Sequence, residues 1–249
     1  NEALVRDRPE LIEDSRRLEL QERSLWLQAD IVLYPSQEEA DEVIALEPSV
    51  MARAIVPYAF DVFQTEAIPE NRDGILFVAG FAHPPNVDAA CWLVEKVMPS
   101  VWKQHPDVRL SLVGSKPTSE VQALSGERVE VTGYVDDTEL SRRYLQARVA
   151  VVPLRYGAGI KGKVVEALQQ GLPLVTTQVG AQGLDGVAAF TCVADDAETL
   201  ASAIIRLIED DDVWREQSAH GAEYASQRFS RDALGGTLDG FMKRPGGKP

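Results

Sequence analysis

The sequence predicts an α/β protein, a Rossmann-like parallel sheet with helices on both faces and a small α/β segment in front of it. Three observations predict this. Short strand-like segments recur at Ile75–Ala79, Val108–Val113, Val149–Leu154 and Leu172–Thr177, with Val149–Leu154 a continuous apolar run as a strand covered on both faces requires. Segments of helical period separate them, which makes the strands parallel neighbours joined by crossovers. Glycine follows the strands at Gly80, Gly114 and Gly133, and a glycine loop follows the third run. Open sheets of this kind bind ligands outside the carboxyl ends of their strands.

In chain order, Glu10–Ala29 carries Leu11, Ile12, Leu18, Leu25 and Trp26 at helical spacing among many charges. Ile31–Tyr34 reads as a short strand. Ser36 and Glu39 form a capping box for a helix to about Leu46. Ala54–Pro57 is a second apolar run. This helix, strand, helix, strand set is too small for an independent parallel-sheet domain. Gln64–Gly74, with Pro69, Asn71 and Gly74, reads as a linker. The expected division is residues 1–70 and 71–249.

After the Ile75–Ala79 strand, Asn86 is expected to cap a helix with Ala89, Leu93, Val97 and Val101 turned inward. Val108–Val113 is followed by a short helix capped by Ser119 and Gln122. Val129–Thr132 is followed by a helix capped by Asp136 and Glu139. Leu172–Thr177 and Ala189–Val193 complete the strands. Asp195 and Glu198 cap a helix to about Glu209, and helices near Asp212–Gln227 and Arg231–Met242 follow. The tail RPGGKP is expected to fray.

The chain is organised around Val149–Gly171, VAVVPLRYGAGIKGKVVEALQQG. A buried strand runs into a loop with Gly157, Gly159 and Gly162, then into a helix that Gly171 and Pro173 stop. Small residues let backbone N–H groups approach a ligand. A helix N-terminus adds partial positive charge, and Lys161 and Lys163 add full charges, so the place suits a phosphate or diphosphate. Glu166 lies one turn into the helix. It reads as a helix-stabilising acid, as a partner of Lys163, or as a carboxylate for vicinal sugar hydroxyls. A ribose diphosphate presents hydroxyls to the acid and phosphates to the loop at once. GAGIKG also fits G-x-G-x-x-G, but several strands precede it and the next strand ends in Thr177 and Gln178 rather than an acid, which disfavours NAD.

A net charge of −14 on 249 residues argues against a nucleic-acid backbone or a polybasic membrane patch. Hydrophobic residues at 45% are enough for a sizeable core. No apolar run approaches a membrane span and no signal-peptide pattern opens the chain, which begins at Asn1 as a piece of a longer protein would. Cys91 and Cys192 read as isolated buried thiols, as expected in the cytoplasm. The three histidines lack ligand spacing, so neither a metal nor a cofactor is expected.

FVAGFAHPPNVDA, LVGSKP, VTGYVDD and PLRYGAGIKGKVVEALQQGLPLVTT, in this order, resemble the C-terminal, donor-binding domain of a GT-B glycosyltransferase of family 4, the group 1 transferases. The resemblance covers about Gly74 to Met242. ADIVLYPSQEEADEV resembles the last strand–helix pair of that family's acceptor-binding N-terminal domain. The resemblance implies retaining transfer from a nucleotide diphosphate sugar to an acceptor the sequence does not name. It implies that Glu166, the second Glu of the family's motif, holds the ribose hydroxyls; the first Glu falls on Ala158. Lys161, Lys163 and Arg155 are expected to supply positive charge in place of the family's Arg and Lys after the first strand. Gly80, Gly159 and Ile160 are expected along the donor, and Tyr134–Val135 against the base. Two other outcomes fit the same residues: a non-catalytic nucleotide-sugar binding module, and a sugar-nucleotide epimerase. A truncated front lobe with open strand edges would invite self-association.

Overall fold

The structure, a computed structural model, describes residues 9–55 and 58–242. The chain divides into two compact units, Asn1–Val56 and Pro57–Pro249. The first holds α1 (Pro9–Trp26), β1 (Val32–Tyr34), α2 (Gln37–Leu46) and β2 (Ala52–Ala54). The strands pair in parallel, Val32 opposite Ala52. Trp26, Ala40, Val43, Val50 and Ala52 make a small core. Ser36 caps α2 as expected, its Oγ accepting from the Glu39 N–H at 3.2 Å. The second strand begins earlier than the expected Ala54–Pro57. Pairing starts where the Val32 N–H meets the Met51 carbonyl, and Ala52 points inward while Arg53 points out. This is the alternation of a one-sided sheet rather than a continuous apolar run.

The second unit carries β3 (Ile75–Val78), β4 (Leu110–Val113), β5 (Val129–Gly133), β6 (Val149–Val152), β7 (Leu174–Thr176) and β8 (Cys192–Val193). All pair in parallel, in the order β5-β4-β3-β6-β7-β8. The helices are α3 (Pro84–Trp92), which continues through a π-helical turn at Leu93–Val97 into α4 (Met98–Gln104), then α5 (Ser119–Gln122), α6 (Asp137–Gln146), α7 (Gly162–Gln169), α8 (Gln178–Ala181), α9 (Ala197–Glu209), α10 (Asp211–Phe229) and α11 (Arg231–Met242). Phe77, Leu110, Leu112, Val149, Val151, Leu174 and Val175 form a sheet centre without solvent exposure. The α/β, Rossmann-like class predicted from the apolar runs is therefore the one observed.

The apolar runs overstate strand length where their ends have other partners. Trp102 Nε1 donates to the Val108 carbonyl at 2.9 Å, so β4 begins at Leu110. Pro153 lacks an N–H and the Leu154 carbonyl accepts from the Thr177 hydroxyl, so β6 stops at Val152. Thr177 in turn caps α8. Val187–Ala189 is a 3₁₀ turn, which leaves only Cys192–Val193 as β8. Two caps lie one residue from their expected places, at Thr118 and Asp196. Asp195 is spent instead on the Gln178 N–H at 2.9 Å. Cys91 and Cys192 are half-buried rather than fully buried; burial and the neighbouring Glu120 push the Cys91 thiol up to about 11. The tail RPGGKP lies outside the described residues.

The stretch read as a linker is bound to the larger unit. Arg148 is buried, with hydrogen bonds to the Leu207 and Pro69 carbonyls at 2.8 and 3.2 Å and a 2.6 Å ion pair with Asp211. Arg72 lies 5.1 Å over the Trp214 ring and donates to the Tyr144 carbonyl at 3.0 Å. Phe60 bridges Ser230, its N–H donating to the Phe229 carbonyl at 2.8 Å. Tyr58, Phe60, Phe63, Phe229 and Tyr224 then form a chain of ring contacts at 5.9–6.2 Å.

At the end of β4, Gly114 has φ +148° and a Cβ there would lie 1.8 Å from the Ala79 carbonyl oxygen. Gly114→Ala is therefore expected to cost about 2–4 kcal/mol, a melting-temperature drop of roughly 4–16 °C. A melt within about 2 °C of the parent, well below that range, would show that β3 and β4 can part without penalty.

Candidate functional site

The strand order makes β3 and β6 the switch point, because the next strand after β3 lies on one side of it and β6 on the other. Two loops meet outside their carboxyl ends. The first turns at exposed Gly80, with buried Phe81 donating its N–H to the Ser115 carbonyl at 2.9 Å. His83 then holds the cap position of α3 without a side-chain hydrogen bond, and Pro84 and Pro85 fill the first helical positions, where no N–H is needed. Asn86 is thus not the cap. It is buried in the first turn, where its Nδ2 donates to the Gly80 carbonyl at 2.8 Å and its Oδ1 accepts from Lys163 Nζ at 2.5 Å.

The second loop leaves β6 through buried Pro153 and Leu154 and turns through Gly157 and Gly159, at φ +131° and +74°. These are conformations that glycine adopts without strain. Ile160 is half-buried. Lys161 is buried, not solvated: its Nζ bonds back to the Gly159 carbonyl and lies 3.4 Å from Gln182 Oε1. Lys161 occupies the cap position of α7 without a side-chain cap, so no side chain satisfies the first N–H groups at the positive end of that helix. Lys163 is half-buried and 5.2 Å from the Phe77 ring. Burial and the Lys161 charge push it down to about 8, against the pull of Glu166.

Glu166 follows one turn later, half-buried. Its Oε2 accepts from the Tyr144 hydroxyl at 2.9 Å, while Lys163 goes to Asn86. The switch point thus brings together Gly80, Gly159, Ile160, Lys161, Lys163 and Glu166. Arg155 also leaves β6, but it forms a two-pronged ion pair with Asp88 and lies 5.7 Å over Trp92. Val135 is half-buried beyond β5, two strands away, beside the 77% exposed Tyr134. Sequence reading missed the role of Asn86 and missed Tyr144 altogether. What marks Tyr144 in the structure is that it is the one buried side chain of α6, which a sequence pattern with Leu140 and Leu145 does not single out.

The opposite end of the sheet offers a cavity of about 400 Å³ lined by Ile75, Arg109, Glu130, Arg142 and Arg143. Its chemistry is already balanced. Arg143 pairs with Glu130 and Glu139 at 2.6 and 2.7 Å, and Arg142 with Glu139 at 2.6 Å. Among the described residues no group of three His, Cys, Asp or Glu side chains is gathered to hold a metal ion, and no helix is long and apolar enough to cross a membrane.

A doubly wound sheet with a glycine loop and lysines at its switch point defines the class. The chain belongs to the glycosyl transferases group 1 family, which matches residues 72–210. Among curated relatives it is 26% identical over 152 residues to a phosphatidyl-myo-inositol mannosyltransferase of Mycolicibacterium smegmatis, covering 59% of this chain and 39% of that protein. It is likewise 26% identical over 134 residues to an uncharacterized 44.6 kDa protein in the cps region of Klebsiella pneumoniae, covering 51% of this chain and 33% of that one. The chain therefore spans between a third and two fifths of these two relatives. Its fold is shared with sucrose-phosphate synthase from Thermosynechococcus elongatus, at TM-score 0.67 and 23% identity over 89% of this chain and 60% of that one. It is also shared with a mutant of S. aureus TarM in complex with fondaparinux, α-GlcNAc-glycerol and UDP, at TM-score 0.68 and 15% identity over 88% of this chain and 45% of that one.

Lys163 generates a pH signature. Its folded value of about 8 lies below the ordinary 10.5, so between those limits the unfolded chain binds more protons. Through this group the folded state gains stability as pH rises through that window. Denaturant unfolding at about pH 7.5 and 9.5 is expected to show a gain that Lys163→Met reduces. Identical pH slopes in both proteins would contradict the depressed value.

Proposed function

We propose that this chain is the donor-binding half of a retaining glycosyltransferase that takes a sugar from a nucleotide diphosphate sugar. One observation carries the reading. The uncapped N-terminus of α7, Lys163 and, one turn on, the Glu166 carboxylate lie together at the sheet's switch point. Phosphates suit the first two and vicinal ribose hydroxyls suit the third. Membership of the group 1 family supports a sugar transfer, and the UDP in the TarM complex supports a nucleotide as the carried group.

The chemistry assigned to these residues is electrostatic. As the sugar's anomeric bond to the diphosphate breaks, negative charge builds on the departing phosphate oxygen. Helix N–H groups at Gly162–Lys163 and the Lys163 ammonium, fixed in advance by Asn86, stabilise that charge without reorganising. Lys161 contributes chiefly by tightening the loop onto the Gly159 carbonyl. Arg155 is a weaker candidate for the donor, since Asp88 already neutralises it. Acceptor-binding groups are assigned to the part of the relatives' length that this chain does not span, because transfer needs both reactants held in attack geometry. Ala158, where the family places its first Glu, favours the reading of a binding module without turnover.

Calorimetry with UDP, GDP and ADP, followed by a transfer assay with sugar nucleotides, tests the proposal and separates the two readings. Glu166→Gln is expected to weaken the best nucleotide diphosphate about ten-fold or more, since a hydrogen bond to a charged acceptor is worth roughly 1.5–3 kcal/mol. Lys163→Ala should weaken the diphosphate more than the nucleoside, which offers no anion. No binding by any of the three, or equal losses for diphosphate and nucleoside, would sink the assignment. Binding without turnover would favour the binding module.

A further inference from the structure

We infer that Tyr144 is the positioning residue for Glu166: its hydroxyl pins Oε2, fixing the plane of the carboxylate and leaving Oε1 turned to the ligand. This rests on the donor reading above. Tyr144 comes from α6, a different helix from Glu166, and is only 3% exposed. Its hydroxyl donates to Oε2 at 2.9 Å. Burial and the Glu166 charge raise this phenol well above its ordinary value, so it remains a neutral donor throughout the working range. Of the other groups near Glu166, Lys163 is committed to Asn86, and Tyr58 lies on the Oε1 side, where burial and the Glu166 charge raise its phenol.

The second oxygen faces a different neighbour. A Cβ at Gly162 would lie 2.9 Å from the Tyr58 hydroxyl and 3.8 Å from Glu166 Oε1. A side chain at Gly162 would therefore intrude beside both the Tyr58 hydroxyl and Oε1, and the glycine leaves that space clear. Tyr58 is itself fixed, stacked 5.9 Å from Phe60 and edge-on to Phe229 at 6.0 Å. A glutamate has three side-chain torsions to order. Tyr144 orders them on folding, so the ligand does not have to.

A buried tyrosine that merely satisfies its own hydroxyl would have the same geometry, so the test reads the ribose. Affinity is measured by calorimetry for whichever of UDP, GDP and ADP binds tightest and for its 2′,3′-dideoxy counterpart, in four proteins: the parent, Glu166→Gln, Tyr144→Phe and the double variant. The parent should prefer the ribose form about ten-fold or more, and Glu166→Gln should erase that preference. Tyr144→Phe should cut the preference about three-fold or more, keep dideoxy affinity within about two-fold, and add nothing in the Glu166→Gln background. An intact preference in Tyr144→Phe, with loss in Glu166→Gln, overturns the inference alone. No binding by any nucleotide, or no change in Glu166→Gln, overturns the donor reading beneath it. Where Tyr144→Phe fails to fold, a crystal structure of the parent with the nucleotide decides. Tyr144 still bonded to Oε2 with a ribose oxygen on Oε1 supports the inference, and Tyr144 released from Glu166 overturns it.

Discussion

Because β3 pairs with β4 on one side and β6 on the other, the loops that leave β3 and β6 diverge and leave a crevice between them. This constraint governs what either loop can contribute. The β3 loop brings Gly80 and, through the first turn of α3, Asn86. The β6 loop brings the glycines and the N-terminus of α7. Asn86 bonds both, with a 2.8 Å contact to Gly80 and a 2.5 Å contact to Lys163, and Arg155 of the β6 loop pairs with Asp88 of α3. The two sides of the crevice are thus tied by a buried amide and an ion pair as well as by the sheet.

The same crevice concentrates positive charge in a chain of net charge −14. Lys161 is buried and Lys163 half-buried, close enough that the first depresses the second. Such packing costs stability, and burial of like charges is characteristic of places that receive an anion. The cost is contained by specific acceptors: the Gly159 carbonyl and Gln182 for Lys161, Asn86 for Lys163. At the opposite end of the sheet, Arg142 and Arg143 meet Glu130 and Glu139 and leave no comparable surplus.

The fold was legible because apolar runs, glycines and caps are local signals. Ser36, Asp136 and Gly171 act where their spacing predicts, with Gly171 at φ +58° just past α7. Errors arose where two neighbours were chemically equivalent, as with Thr118 beside Ser119 and Asp195 beside Asp196. There only tertiary partners decide which residue caps. Asn86 is the instructive case. It is a good cap by type, but two prolines move the helix start ahead of it and free its amide to join two loops. Apart from Gly80, the charged and glycine residues of the site lie in one stretch of chain, which made them visible. Tyr144 was not, because its hydrogen bond to Glu166 spans 22 residues and two helices.

The bridge between Phe60 and Ser230 has a consequence for synthesis. Arg231 pairs with Asp61 across 170 residues, and Phe229 is the ring against which Tyr58 rests. At about 5–20 residues per second, a ribosome needs roughly 10–35 s to deliver that second partner after the first has emerged. During that interval Tyr58, Phe60 and Phe63 have no C-terminal helix to cover them, and a parallel sheet is itself slow to assemble. The opening of this unit is therefore the part of the nascent chain with the longest wait for its native neighbours, and the part where a chaperone that shields aromatic side chains has the most time to act.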